Sequence, residues 1–173
     1  MNENPHILKA YESILQHDFE QAIEWFELAI AGEPNNASYY YRLSITCARS
    51  NKLLKAIVHA ITACRLEPEE ESYRLHLNTM RARQLLFIAD DLLKTKNAAD
   101  VEEAVATLQS AIRLDPLSIE AYLMLSIAYE QSARINDAIS IVTEAVRLDP
   151  EHKEAGEWLE QLHQRMRNKD LHT

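Results

Sequence analysis

The residue types that most often carry chemistry are few in this chain, and their spacing does not suit a reactive site. The chain has seven histidines and two cysteines, Cys47 and Cys64. His59 and Cys64 are five residues apart, which does not place two metal ligands on one helix face, and neither Cys-x-x-Cys nor His-Glu-x-x-His occurs. The two cysteines fall on different predicted helices, offset by about 10 Å along their axes. We therefore expect no disulfide and no metal site.

Phosphate binding and nucleophilic catalysis also lack a sequence signature. The chain contains no Gly-rich phosphate loop and no Gly-x-Ser-x-Gly turn. The acidic run 69–71 directly follows Pro68, where carboxylates stabilise the start of a helix. The sequence therefore predicts no enzyme activity and no cofactor.

Four prolines and eight alanines recur in a single register and define the elements of the chain. Each of Pro34, Pro68, Pro116 and Pro150 follows an alanine by five residues and another by twelve. These alanines are Ala29, Ala63, Ala111 and Ala145 at five residues, and Ala22, Ala56, Ala104 and Ala138 at twelve. The first two prolines are 34 residues apart, as are the last two, whereas the middle pair is 48 apart, or 14 more. Because proline ends helices and alanines seven apart share one helix face, this pattern predicts repeated helix-turn-helix units.

The same positions carry a family resemblance. The residues Tyr122, Leu125, Ser126, Tyr129, Ala138, Ala145 and Pro150 resemble the signature of the tetratricopeptide repeat (TPR) family, and so do Tyr40, Leu43, Ser44, Ala56, Ala63 and Pro68. The resemblance implies an all-α fold, the right-handed α-α superhelix or TPR solenoid, with four helix-turn-helix repeats. The repeats are expected at about 3–36, 37–70, 71–118 and 119–152.

One further amphipathic helix is expected after the fourth repeat, over residues 151–169. One of its faces is apolar, with Ala155, Trp158, Leu159, Leu162 and Met166. Because the last repeat of a solenoid leaves an apolar flank, we interpret this segment as a capping helix. The whole chain, 1–173, is then predicted to be a single TPR domain.

Composition narrows the classes of partner. The net charge of −9 argues against a nucleic-acid partner, which requires a basic surface. No run of 18 apolar residues is present, and the first residues include neither a basic nor an apolar stretch. We expect no membrane partner and a cytoplasmic location.

The family resemblance implies a binding surface on the first helix of each pair, which faces the concave side. The residues expected there are Ile7, Tyr11, Tyr41, Arg42, Ile45, Arg49, Leu75, Thr79, Leu123 and Ile127, together with Asn4, Ile14, Ser38, Ser72, Arg83, Glu120 and Glu130. This surface is apolar in its middle and has aromatic anchors, which favours an extended or helical segment of a partner protein.

The 14 additional residues of the third repeat align with 84–97 and continue a helical apolar pattern. The first helix of that repeat is therefore predicted to run on from about Glu71 to Lys94, past an ordinary partner helix over 101–114. The apolar stripe of Leu85, Leu86, Leu92 and Leu93 would then lack cover within the chain. An exposed apolar stripe commonly marks an interface, so we expect a weak homodimer, with a foreign partner or a folded-back segment as the alternatives.

Two functions remain open at this point. The first is a TPR adaptor or scaffold, a non-enzymatic module that holds one partner protein of unknown identity in the concave groove. The second is a small holding chaperone. This chain is short and acidic, and in this it is similar to members of the repeat family that bind apolar segments of secreted client proteins before export. An adaptor retains one stoichiometric partner, whereas a chaperone retains several unfolded clients.

Overall fold

The computed structural model describes residues 4–170, and the start of the first repeat, expected near residue 3, lies outside them. Within the described residues the chain forms nine α-helices and no strand. Their bounds are α1 Pro5–Leu15, α2 Phe19–Gly32, α3 Ala37–Arg49, α4 Leu53–Leu66, α5 Glu71–Thr95, α6 Ala98–Leu114, α7 Ile119–Gln131, α8 Ile135–Leu148 and α9 Lys153–Asp170. The prediction of an all-α helical-repeat fold is confirmed, and the number of four repeats stays a prediction.

The recurring alanines and prolines have the roles that their spacing predicts. All eight alanines are completely buried, so each one allows a neighbouring helix to approach closely. Helices α2, α4, α6 and α8 each end two residues before one of the four prolines. The repeated alanines therefore mark the positions where helices pack closely, and the repeated prolines mark the positions where helices end.

The chain packs as two compact units whose boundary lies within α5, between Arg81 and Ala82. In the N-terminal unit, α2 packs against α1 and α3, and α3 packs against α4. In the C-terminal unit, α7 packs against α6 and α8, and α8 packs against α9. Ala155 and Leu162 of α9 are buried in the core of the C-terminal unit, as expected for a helix that covers an apolar flank.

The turn inside each helix pair contains a residue in the left-handed region. These residues are His17, Asn51, Lys96 and Ala133, with φ of 60°, 58°, 55° and 58°. In three of the turns the next residue donates its N–H to the carbonyl five residues earlier, for example Arg134 to Tyr129 at 2.8 Å. This bond is the helix-ending Schellman arrangement, in which glycine is the usual left-handed residue.

The long helix of the third repeat is present, and its partner helix is longer than the sequence predicts. Helix α5 has 25 residues, whereas the other helices have 11–18. Helix α6 has 17 residues and begins at Ala98 instead of Val101. The side chain of Asn97 accepts the N–H of Ala99 at 3.1 Å and caps α6 one turn early. The additional turn contributes no buried residue, and the residues of α6 that share a core cluster with the extension of α5 include Val101, Ala104, Val105 and Leu108.

Candidate functional site

An open groove of about 520 Å³ on the N-terminal unit is the strongest candidate for a binding site. We call it the tyrosine groove. It is lined by Tyr11, Ile14, Phe26, Ser38, Tyr41, Arg42, Ile45, Thr46, Arg49, Glu70, Ser72 and Tyr73. Helix α3 supplies half of these residues, from one face of successive turns, and α1, α2, the turn before α5 and the start of α5 supply the rest. All of its walls therefore belong to one compact unit.

Aromatic rings form much of the groove and hold one another in place. The rings of Tyr41 and Tyr73 lie 4.7 Å apart, centre to centre, and Tyr41 also meets the edge of His76 at 5.3 Å. Tyr11 packs edge-on against Phe26 at 6.1 Å. Aromatic pairs of this geometry contribute about 0.5–1.5 kcal/mol beyond the area they bury. The groove therefore presents rings whose positions are set before any partner arrives.

Two arginines of α3 bring positive charge into the groove. Arg42 lies over the ring of Tyr11 at 5.2 Å and donates its Nε–H to Ser38 Oγ at 3.1 Å. Arg49 lies over the ring of Phe19 at 4.4 Å. Among residues 4–170, neither guanidinium forms a salt bridge. Both therefore retain donors for an incoming acceptor.

One carboxylate, Glu70, stands at the rim of the groove. Its Oε1 accepts the side-chain hydroxyl of Ser72 at 2.7 Å and the backbone N–H of Ser72 at 3.1 Å. These bonds, the side-chain one first, hold the pKa of Glu70 below its usual value, so the group is ionised at neutral pH. With two arginines and one glutamate, the lining carries one positive charge in a chain of net charge −9.

Two phenol groups add hydrogen-bonding capacity. The hydroxyl of Tyr11 is buried and has no hydrogen-bond partner among the described residues. Burial, followed by the charges of Glu67 and Glu70, raises the pKa of Tyr73. Tyr73 is therefore a neutral phenol at neutral pH, able to donate its proton to an acceptor.

The structure brings half of the predicted groove residues together. Tyr11, Tyr41, Arg42, Ile45 and Arg49 all line the tyrosine groove, and so do Ile14, Ser38 and Ser72. The sequence reasoning missed Phe26, Thr46, Glu70 and Tyr73. It considered only one narrow stripe of each first helix, whereas the groove also reaches the second helix of repeat one and the turn before α5. The tyrosine next to Ser72 was the signal that could have extended the prediction.

The other predicted residues lie elsewhere. Ile7 is buried with Phe26 in the core, because its face of α1 packs against α2. Leu123 is buried because α7 packs against both α6 and α8, so the prediction that it faces a groove is wrong. Leu75 and Ile127 are exposed and Thr79 is half-buried, but none of the three lines the tyrosine groove.

The expected interface leucines are covered within their own chain. Leu86 and Leu93 are only 5% and 8% exposed, in a core cluster with Val101 and other residues of α6. Leu85 and Leu92 are partly buried against the same cluster. The prediction of an uncovered stripe is therefore wrong, because the apolar face of α6, with Val101, Val105 and Leu108, shares a core cluster with the extension.

Ser44 and His76 form a hydroxyl–imidazole pair of the kind that nucleophilic enzymes use. Ser44 Oγ lies 2.7 Å from Nε2 of His76, but it also donates to the carbonyl of Ala56 at 2.7 Å. A hydroxyl has only one proton, so Ser44 accepts a hydrogen bond from Nε2–H. A general base would have to accept the proton of Ser44, so this arrangement is structural.

No metal-binding cluster of three or more His, Cys, Asp or Glu side chains occurs in the described part of the chain. Cys47 and Cys64 are free thiols, and burial raises the pKa of Cys47 to about 11. Burial also raises the pKa of Cys64, so neither cysteine is an activated nucleophile. Over residues 4–170, every helix is too short or too polar to span a bilayer.

A second depression, of about 610 Å³, lies on the C-terminal unit between α6 and the end of α7. Its lining includes Lys96, Glu102 and Glu130, and Glu130 is already ion-paired with Arg165. It contains no aromatic side chain. It therefore lacks the ring surface that anchors a partner in the tyrosine groove.

Comparison with known proteins agrees with this architecture. Residues 98–166 match the sequence profile of the tetratricopeptide repeat family. These residues therefore form tetratricopeptide repeats. No curated protein is significantly similar to this chain in sequence.

Solved structures share the TPR fold at low sequence identity. MamA (residues 41 to the end) from Desulfovibrio magneticus RS-1 is 19% identical with a TM-score of 0.56, and the match covers 96% of this chain and 86% of that one. Yeast Tom70 is 20% identical with a TM-score of 0.57, over 94% of this chain and 40% of Tom70. A tetratricopeptide repeat protein from Parabacteroides merdae ATCC 43184 is 16% identical with a TM-score of 0.54, over 95% and 59%. These similarities concern the fold alone.

Proposed function

We propose that this protein is a non-enzymatic interaction module that binds a segment of a partner protein in the tyrosine groove. The TPR fold supports this proposal because stacked helix pairs present side chains from several helices along one groove. The preset rings of Tyr41 and Tyr73 support it as well, because aromatic anchors dominate the binding energy of many interfaces.

The chemistry of the groove favours a segment that is both acidic and apolar. Arg42 and Arg49 are seven residues apart on α3, which places them on one face about 10 Å apart along the helix axis. Ile45 lies between them on the same face. A carboxylate at either arginine and an apolar side chain between them would match this order of groups.

The observation that carries the proposal is the pair of groove arginines without carboxylate partners. In a protein with 27 acidic and 18 basic residues, an arginine can easily be satisfied within its own chain. Arg42 and Arg49 instead lie over aromatic rings with N–H donors still available. A partner carboxylate can accept two parallel bonds from such a guanidinium.

The test is selection of peptides from a random array, followed by fluorescence anisotropy with the selected sequences. We expect enrichment of Asp or Glu next to Phe, Tyr or Leu. Hydrogen bonds to charged groups contribute about 1.5–3 kcal/mol each. Arg42→Gln together with Arg49→Gln should therefore weaken binding by at least tenfold. Arg81→Gln is the matched control, because Arg81 is exposed in the same unit but outside the groove.

Two results would contradict the proposal. One is that the selected peptides are neutral or basic. The other is equal loss of binding with Arg81→Gln and with the groove variant. The holding chaperone remains a separate outcome. A chaperone would bind many unfolded proteins, and changing the groove arginines would not weaken its binding to any particular one of them.

A further inference from the structure

The outer face of α4 exposes large apolar side chains in a regular row. Leu54, Val58 and Ile61 are 68%, 60% and 43% exposed and lie at positions i, i+4 and i+7 of the helix. This spacing places them on one face. The other exposed residues of α4 are Lys55 and Arg65, and the helix contains no acidic residue. The face is therefore apolar with a basic border.

The outer face of α2 has the opposite charge. Its exposed side chains include Glu20, Glu24, Glu27 and Leu28, and Leu28 is 49% exposed. Helix α2 contains no basic residue. This face is therefore acidic with one apolar side chain.

The two faces are neighbours on the same unit, and their helices run in the same direction. At the start of α2, Glu20 accepts hydrogen bonds from Ser50 and Lys52, which immediately precede α4. About two turns further on, Glu27 interacts electrostatically with His59 of α4. The surface thus consists of an acidic helix beside an apolar and basic one.

We propose that a second copy of this chain covers this surface, in a two-fold pairing that places α4 of each copy against α2 of the other. A two-fold interface brings one patch against itself, so the patch must be self-complementary. Pairing α4 with α2 sets basic residues against acidic ones and gives Leu28 an apolar neighbour. Glu24, Glu27, Lys55 and Arg65 form no salt bridge among the described residues, so their charges are available for such a contact.

The first test is sedimentation equilibrium of the whole chain. The parent should form a dimer, and Val58→Lys should raise the dimer dissociation constant more than tenfold. Val58 is exposed in the free chain, so a lysine there is hydrated until the interface forms. Phe87→Lys is the control, because Phe87 is also exposed but belongs to α5 in the C-terminal unit. This variant should dimerise like the parent.

The second test is charge reversal on each helix. Glu24→Lys with Glu27→Lys leaves both faces basic, whereas Lys55→Glu with Arg65→Glu leaves both acidic. Each double variant should be monomeric alone, and an equimolar mixture should recover the dimer, because both contacts then join opposite charges.

Three results would overturn the proposal. These are a parent that stays a 19.9 kDa monomer at every accessible concentration, a mixture that does not associate, and a Val58→Lys variant that still dimerises. The first result would leave the α4 face to a protein of different sequence, such as an acidic amphipathic helix.

Discussion

Trp158 donates its indole N–H to Ser126 Oγ at 2.9 Å, in the place that His76 occupies against Ser44. Each serine precedes its ring by 32 residues and donates to a carbonyl 12 residues later, that of Ala138 for Ser126. An indole N–H can only donate, so the serine accepts. The equivalence agrees with the assignment of His76 as a donor and indicates that both rings connect one helix pair to the next helix.

We predict that Ser126 and Trp158 are energetically coupled. Ser126→Ala leaves the indole N–H without its acceptor and should lower the free energy of unfolding by about 1–3 kcal/mol. Trp158→Phe removes the donor and part of the ring. The double variant should lose less than the sum of the single variants, because neither partner is then left unpaired. Urea denaturation measures all three, with the exposed Ser140→Ala as the control. Strictly additive losses would mean that the hydrogen bond contributes little.

We predict that Ala133→Gly stabilises the protein. Ala133 has φ of 58° in the turn between α7 and α8, where a Cβ atom is unfavourable and glycine is not. The expected gain in the free energy of unfolding is about 0.5–1 kcal/mol. The same change at Ala106, an exposed residue inside α6, should cost about 1 kcal/mol. Chemical denaturation of both variants checks the prediction. A lower free energy of unfolding for Ala133→Gly would show that alanine is not strained at this position.

We predict that His59 makes stability depend on pH below neutrality. Burial is the main cause that lowers the pKa of His59 beneath its usual value of 6.5, with Lys55 acting in the same direction and Glu27 against it. The unfolded state therefore binds the proton more readily. The free energy of unfolding should fall as the pH drops from 6.5 through the lowered pKa, and His59 should contribute no change above 6.5.

The measurement is an NMR titration of the His59 ring together with denaturation of the parent and of His59→Gln. The difference in stability between parent and variant should change only in the acidic window. A titration midpoint at or above 6.5 would refute the prediction.

The helices could be read from the sequence because each one depends on local signals. Eight alanines in register predict close packing, and all eight are completely buried. Four prolines predict helix ends, and the helices do end two residues before them. Both signals act within a few residues of the chain and depend little on distant packing.

The site was only half predictable because it depends on contacts between helices. The prediction considered one face of α3 and identified Tyr41 and Arg49. It did not show that Phe26 of the neighbouring helix forms part of the groove. The same limitation explains Leu123, since periodicity does not reveal that α7 is packed on two sides. The cover over the α5 extension was missed for the same reason, because helix lengths alone did not show that Val101 and Leu108 of α6 share a core cluster with Leu86.

We predict that Leu86 contributes to the core and Phe87 does not, although the two are adjacent on α5. Leu86 is 5% exposed, in a cluster with Val101 and Leu108, whereas Phe87 is 62% exposed. Leu86→Ala should lower the free energy of unfolding by about 2–4 kcal/mol through lost burial and a cavity. Phe87→Ala should change it by about 0.5 kcal/mol or less. Guanidinium denaturation checks both at several protein concentrations. If the leucines instead formed an interface between copies, Leu86→Ala would leave the stability of a dilute monomer unchanged and would weaken only its association.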